Sequence, residues 1–209
     1  MNDPTYPPKH YVSHEYQHAI ETMRRFPLAT LISADGENCF PTHLPLVYHT
    51  EGNTEFGKLV GHIDRYNPHC KFLDRRKIYA IFHGPNAYIS PLTYATKQLP
   101  TWNYVKIHVV GTARLTTDPE AIKQSIIELT AQMEQSKVGL GWQLSPTDPR
   151  LDALLPYVMG FEMDIESWEG KTKLSTDKLF KDVARAKEKL LHDSQADLRD
   201  FMDIILPEK

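Results

Sequence analysis

Cysteine is scarce in this chain. There are two, Cys39 and Cys70, and they form no CxxC pair, so neither a disulfide framework nor a cysteine metal knuckle is expected, and a reducing cytoplasm fits best. Long hydrophobic runs are missing too: no stretch approaches the roughly 20 apolar residues of a membrane span. The N-terminus, MNDPTYPPKHYV, has neither a basic start nor an apolar segment, which argues against a signal peptide. Charge of one sign is not in excess. With 24 Lys+Arg against 27 Asp+Glu the net charge is −3, which leaves no global attraction for nucleic acid. Three motifs are absent as well: the nucleophile elbow, the P-loop and the GxGxxG fingerprint. No repeat or low-complexity tract appears.

What is present is enough chain for one core. A protein of 209 residues buries roughly 70% of its unfolded surface on folding. The most informative stretch is 80–114, AIFHGPNAYISPLTYATKQLPTWNYVKIHVVGTAR. Two strand-like runs, 80–82 and 104–110, flank a segment rich in ligand-recognising groups: His83, Asn86, Tyr88, Ser90, Tyr94, Thr101, Trp102, Asn103 and Tyr104. Pro85, Pro91 and Pro100 stiffen it, and a pre-ordered segment loses less entropy when a ligand arrives. Any single aromatic here is more often core filler than ligand platform. The cluster carries the functional reading.

Periodicity supplies the rest of the frame. Ser13 reads as the cap of a helix running to about Arg25, with Val12, Tyr16, Ala19, Ile20 and Met23 on one stripe. It contains His14-Glu15-Tyr16-Gln17-His18, an H-E-x-x-H match to a zinc-protease helix. Both histidines point away from the apolar stripe and no third ligand follows at a familiar spacing, so the match is read as chance. Leu28 to Ala34 and Cys39 to His49 read as a hairpin about Asp35-Gly36, with Pro41 and Pro45 demoting the second strand to an edge or interrupted strand. Lys58 to Ile63, Ile78 to Phe82, Tyr104 to Thr116 and Phe161 to Glu166 are further strands, the last with one wet face. In the Tyr104 strand, Val105, Ile107 and Val109 share one face and Tyr104, Lys106 and His108 the other. His69 to Asp74 reads as a short helix.

Asp118-Pro119 starts a helix with Ile122, Ile126, Leu129 and Met133 as its buried stripe; 137–149 reads as a loop and Pro149 to Leu155 as a short helix. Ser175 is expected to cap a C-terminal helix with Leu179, Val183, Ala186 and Leu190 on one side. A last helix spans 195–206. The expected class is α+β, a small antiparallel barrel or rolled sheet with peripheral helices.

Several segments resemble landmarks of the PaiB family: GHIDRYNP (61–68), FHGPNAYISP (82–91), LPTWNYVKIHVVGTARL (99–115), EGKTKLS (169–175) and THLPLV (42–47). Their order covers the chain from about Tyr6 to Leu179. The resemblance implies an FMN-binding split β-barrel over residues 1–174, followed by a C-terminal helical extension at 175–209. It also implies a homodimer and a role as negative transcriptional regulator. The chain departs from the family pattern at Thr93, Thr172 and Thr176-Asp177, where Trp, Phe and Gln-Asn are usual, and the first two changes remove aromatic area.

With FMN as the expected cofactor, the residues divide by chemistry. Its phosphate calls for guanidinium, ammonium or N–H donors, whose charge-assisted bonds are about twice as strong as neutral ones. Arg65 is the first candidate, with His62 and Asn67 beside it and Lys171 or Lys173 as a further cation. Thr101 and Asn103 suit the phosphate or ribityl chain, and Trp102 the ring face. The segment from Thr42 and His43 to Leu46 suits the ring's polar edge. His83 and Tyr88 complete the expected set, with His83 and His108 as possible proton donors.

Two functions follow. One is a flavin-binding regulator, for which 176–191 and 195–206 form the sole helix pair resembling a DNA reader. Asp197, Asp200 and Asp203 on its second helix would repel phosphates, so direct DNA binding is not expected. The other is a flavin oxidoreductase, since the flavin itself carries the chemistry. No membrane association is expected.

Overall fold

The structure is a computed structural model, and it describes residues 8–135 and 139–193. The expected last helix at 195–206 lies outside the described residues. In chain order the elements are β1 (Val12–Ser13), α1 (Tyr16–Arg25), β2 (Leu28–Asp35), β3 (Asn38–His49), β4 (Lys58–Asp64), β5 (Lys77–Ile89), β6 (Thr101–Thr116), α2 (Pro119–Glu134), α3 (Pro149–Leu154), β7 (Val158–Lys173) and α4 (Phe180–Asp193). A 3-10 turn at Pro68–Phe72 takes the place of the expected short helix after β4. The residues fall into two compact units. One draws on Met1–Val12, Pro85–Val105 and Lys171–Lys209, the other on Ser13–Gly84 and Lys106–Gly170. Strands β5, β6 and β7 each have residues in both.

The larger unit is a barrel. The strands run in the order β1-β7-β4-β3-β2-β5-β6, and β7 also pairs with β6, which closes the sheet. Closure removes the open edges that an antiparallel sheet otherwise exposes. The hairpin forms as expected because Gly36 turns the chain at φ +61°, a conformation costly for residues with a Cβ. The register that follows is fixed: Asp35 opposite Asn38, Thr30 opposite His43, Leu28 opposite Pro45.

Pro41 and Pro45 fall where β3 has one neighbouring strand, although β3 as a whole lies between β4 and β2. Residues 38–45 pair with β2 and residues 46–49 pair with β4, so both prolines lie in the part of β3 that bonds to β2. Alternate residues of every strand fill the interior, where Leu31, Leu46, Leu59, Phe82, Ile107, Val109 and Met163 are buried. From α1, Ala19, Ile20 and Met23 pack against them. Ile107 and Val109 are interior while Lys106 and His108 are not, as the alternation predicts.

Four expectations need correcting. The segment 83–89 is not loop: β5 continues through His83, Gly84 and Pro85 to Ile89, leaving 90–100 between it and β6. Ser13 does not cap α1, which begins at Tyr16 after Glu15; it belongs to β1, and its hydroxyl lies 3.2 Å from His18 Nδ1. His14 therefore precedes the helix, and both it and His18 are exposed. Among the described residues no group of three His, Cys, Asp or Glu side chains could hold a metal. In β7 the supposedly wet Asp164 is buried. Along α2, only Ile122 of the expected apolar stripe is buried.

Asp164 is tolerated inside because its carboxylate is saturated. Arg114 Nη2 donates to it at 2.6 Å and Asn53 Nδ2 at 2.9 Å, and the Asn53 backbone N–H donates at 3.2 Å. Burial pushes its pKa up, but the bonds from Asn53 and Arg114 outweigh that and hold the carboxyl below its ordinary value. Facing it, Gly111 leaves room for the Asp164 carbonyl, which would sit 2.0 Å from any added Cβ. Asp164→Ala removes the acceptor and strands its donors. It should cost about 2 kcal/mol, the range for bonds to a charged group, read as a lower urea midpoint with an unchanged slope. An unshifted midpoint would show the carboxylate to be dispensable.

Candidate functional site

The pleat of β2 sends Ala29, Leu31 and Ser33 inward and Leu28, Thr30 and Ile32 outward. Thr30 is opposite His43 in β3 and opposite Ile81 in β5, which makes His83 its diagonal neighbour. Both imidazoles lean onto the one hydroxyl: Thr30 Oγ1 lies 2.9 Å from His43 Nδ1 and 2.8 Å from His83 Nε2. Beside them opens a groove of about 640 Å³, walled by Phe26, Leu28 and Pro45 and by Leu129 and Met133 of α2. Burial lowers the His83 pKa, and Lys106, His43 and His108 lower it further, so this imidazole is neutral near pH 7. Lys106 is itself lowered by burial.

A second polar set lies on the other side of β3. The Thr42 hydroxyl contacts His69 Nδ1 at 2.8 Å and accepts from Asn67 Nδ2 at 3.3 Å. His69 Nε2 meets Ser33 Oγ at 2.7 Å. Asn67 also accepts from the His69 backbone N–H at 2.9 Å, capping the Pro68–Phe72 turn. Thr42 and Asn67 thus spend their polar atoms inside the protein. Arg65 does not. Its backbone N–H is fixed to the Tyr157 carbonyl at 2.8 Å, while its exposed guanidinium makes one long contact of 3.4 Å, to the Val158 carbonyl. His62 is half-buried, and burial lowers its pKa, as it does that of His69.

The remaining candidates sit in the smaller unit. Tyr88 and Trp102 meet edge-on with ring centroids 6.0 Å apart, and both are exposed, at 45% and 55%. Thr101 and Lys171 are half-buried. Asn103 is 1% exposed, and its Oδ1 accepts from Ser175 Oγ at 3.0 Å, which in turn lies 2.9 Å from the Tyr94 hydroxyl. Ser175 is therefore no helix cap. It holds φ +59°, and α4 starts only at Phe180, with Leu179 and Phe180 exposed. The buried positions of α4 are Asp182, Ala186 and Leu190. Asp182 accepts from the Ala95 N–H at 2.6 Å, the Thr96 N–H at 3.0 Å and the Thr96 hydroxyl, pinning the segment between β5 and β6.

Sequence reasoning missed Thr30, His69, Ser175 and Asp182 as organisers. The signal for Thr30 was available: a turn at Asp35-Gly36 places it directly across from His43. Nothing local marks Asp182, whose partners lie 86 and 87 positions away.

Comparison with known proteins bears on this geometry. Residues 5–167 match the family model described as "Putative FMN-binding domain". A Bacillus subtilis relative, protease synthase and sporulation protein PAI 2, is 23% identical over 202 residues, covering 96% of each chain. An uncharacterized Saccharomyces cerevisiae protein, YKL070W, is 28% identical over 156 residues, covering 63% of this chain and 91% of that one. Among solved structures, the FAD and heme binding protein from Mycobacterium smegmatis superposes with a TM-score of 0.58 at 13% identity, covering 78% of this chain and 73% of that one. The fold is thus an α+β split barrel. The chain belongs to the FMN-binding PaiB family, and FMN is its cofactor.

The residues of the larger unit fit that cofactor. FMN needs a cation for its phosphate, an apolar surface for its ring and neutral polar groups at the ring edge. The unspent Arg65 guanidinium, the apolar groove, and His43 with His83 supply these types.

Two predictions follow. His62, His69 and His83 have folded pKa values below their unfolded value of about 6.5. The unfolded chain therefore binds more protons below that pH. Their contribution to stability is complete above about pH 6.5 and drains away as pH falls toward the folded values. The urea midpoint should drop between about pH 7.5 and about pH 5.5, and a flat profile would contradict imidazoles held neutral in the folded chain. Separately, Asp182→Ala should expose 95–100 to limited proteolysis while leaving the far-ultraviolet spectrum intact. Unaltered cleavage would mean that Asp182 does not hold the segment.

Proposed function

We propose that this chain is a PaiB-type regulator that works as a homodimer and takes FMN on the outward face of its barrel. The observation that carries the reading is the convergence of Thr30, His43 and His83 beside an apolar groove. In this reading Arg65 takes the phosphate, with His62 alongside, and Thr42 and Asn67 fix the turn that aims it. His43 and His83 address the polar edge of the ring. Tyr88, Trp102, Thr101, Asn103 and Lys171 form the second set of candidate contacts, with residues 175–209 as an extension of the flavin-binding body.

Dimerisation is supported by the outward face of β2 and β5, where Leu28 is 61% and Tyr79 51% exposed beside half-buried Ile32 and Ile81. Exposed apolar area of this kind marks contact surfaces. Regulation would run through flavin state rather than direct DNA reading. On α4 the exposed Lys181, Arg185 and Lys187 alternate with acidic Glu188, an ordinary solvated face.

A second reading, a flavin-dependent oxidoreductase, is favoured by the neutral His83 at the groove, which can exchange a proton with a bound molecule. The structure described here has no helix long and apolar enough to cross a membrane among the described residues.

Titration with FMN, followed by quenching of flavin fluorescence, tests the site. Arg65→Ala should weaken binding roughly tenfold or more, the equivalent of the 1.5 kcal/mol or above carried by a bond to a charged group. Unchanged affinity would move the phosphate away from Arg65. Failure of the wild-type protein to bind FMN at all would remove the flavin reading. Bleaching of bound flavin by NADH or NADPH would establish the second reading over the first.

A further inference from the structure

One hydroxyl stands between two imidazoles here, and it has a single proton. Thr30 Oγ1 is within 2.9 Å of His43 Nδ1 and within 2.8 Å of His83 Nε2. It can donate to one ring and accept from the other, but it cannot donate to both. Two arrangements of the neutral trio satisfy both bonds and also use the hydroxyl proton in one of them. In the first, His43 Nδ1–H donates to Thr30 and Thr30 donates to His83 Nε2, so His83 carries its proton on Nδ1. In the second, His83 Nε2–H donates to Thr30 and Thr30 donates to His43 Nδ1, so His43 carries its proton on Nε2. Both rings are therefore Nδ1–H or both are Nε2–H. Of the mixed pairs, one has both rings accepting and loses a bond, and the other has both rings donating to Thr30 and leaves its hydroxyl proton bonded to neither ring, which costs most where water is partly excluded. Thr30 is 9% exposed.

From this geometry we infer that Thr30 joins His43 and His83 into a proton relay serving a molecule bound in the adjoining groove. The balance is one proton in and one out. A proton from water binds His43 Nε2; the Nδ1–H proton of His43 passes to Thr30 Oγ1 as the Thr30 hydroxyl proton passes to His83 Nε2. The Nδ1–H proton of His83 then leaves to the acceptor. The trio ends in its other arrangement with no change of charge, and the reverse sequence restores it. The acceptor is of the class that gains a proton on reduction, a reduced ring nitrogen or an enolate-like oxygen on an apolar body. That use of the proton rests on the oxidoreductase reading. The coupling of the two rings does not.

The surroundings favour a neutral relay. Lys106 and His108 on β6 bear on His83, together with His43 on β3. His108 itself lies 3.9 Å from Glu169 on β7. From α2 the groove receives Leu129 and Met133, and from the α1–β2 connection Phe26 and Pro27. Lys106, with no carboxylate among the described residues hydrogen-bonded to His83, opposes a resident charge on that ring. A second added proton would also leave both rings donating to Thr30 and strand its own hydroxyl proton.

The test reads ring nitrogens, not turnover. The full chain, with isotope-labelled histidine, is followed by nuclear magnetic resonance from about pH 8 to about pH 5, across the ordinary histidine range, with and without added FMN. Wild-type His43 and His83 should show the same tautomer, or the same tautomer mixture, and should shift together at a common first midpoint. Thr30→Val, which keeps the shape and loses the hydroxyl, should let the two rings settle and titrate independently, and Thr30→Ser should restore the coupling. Opposite tautomers in the wild type would overturn the proposal, as would rings that behave in the wild type as they do in Thr30→Val. If Thr30→Val fails to fold, the wild-type tautomers and the Thr30→Ser spectrum still decide. Loss of FMN binding leaves the tautomer result readable, so failure of the flavin reading and failure of the coupling are distinguishable.

Discussion

The register of one hairpin underlies most of what this protein can do. Gly36 turns the chain at a positive φ, and everything on β2 and β3 is then paired by counting from Asp35 and Asn38. A strand has a side-chain period of two, so a slip by one residue would invert both faces. Leu31 would leave the core, and Thr30 would turn away from His43. The apolar interior and the polar outer face are thus two results of the same constraint. The core enforces the register because burial of Leu31, Leu46 and Phe82 is possible in one phase only. The site inherits an alignment stabilised by residues that never touch a ligand.

Much of the polar order inside the protein is long-range: several buried groups are met by partners distant in sequence. Asp164 is met by Asn53 and Arg114, Asp182 by the backbone of Ala95 and Thr96, and His69 by Ser33 and Thr42. Burying any of these unpaired would cost more than the net value of a hydrogen bond. They specify arrangement more than they add stability. Asp182 holds the segment between β5 and β6, and His69 with Asn67 holds the turn that presents Arg65. Arg65, His43, His83, Tyr88 and Trp102 are left exposed, while Asp182 and His69 are buried.

The sequence made the secondary structure legible wherever one rule dominated. The Asp35-Gly36 turn, the Asp118-Pro119 cap and the alternation through Ile107 and Val109 all appear as expected. It misled where a local signal met a tertiary demand. Gly84-Pro85 reads as a break, yet β5 runs through it to Ile89. Asp164 reads as the wet face of a strand because its partners, Asn53 and Arg114, cannot be seen from its neighbours. Ser175 reads as a cap because serine before a helical stripe usually is one. Of the candidate site, the resemblance to the PaiB segments pointed to residue types and the structure supplied their partners. Thr42 and Asn67 turned out to be occupied with His69, Arg65 open, and His43 and His83 joined through a threonine that no motif had marked.

Ser175 also limits how the chain can vary. Its backbone sits in the left-handed region, where glycine and asparagine are at ease and most residues are not. Its hydroxyl bridges Tyr94 and Asn103 in a buried position. Glycine would satisfy the first demand and fail the second. Threonine would keep the hydroxyl but carry a branched Cβ into that region of backbone space. Two mild requirements that are each widely met leave, in combination, almost no alternative. A position that looks like unremarkable punctuation between a strand and a helix is thereby among the least replaceable in the protein.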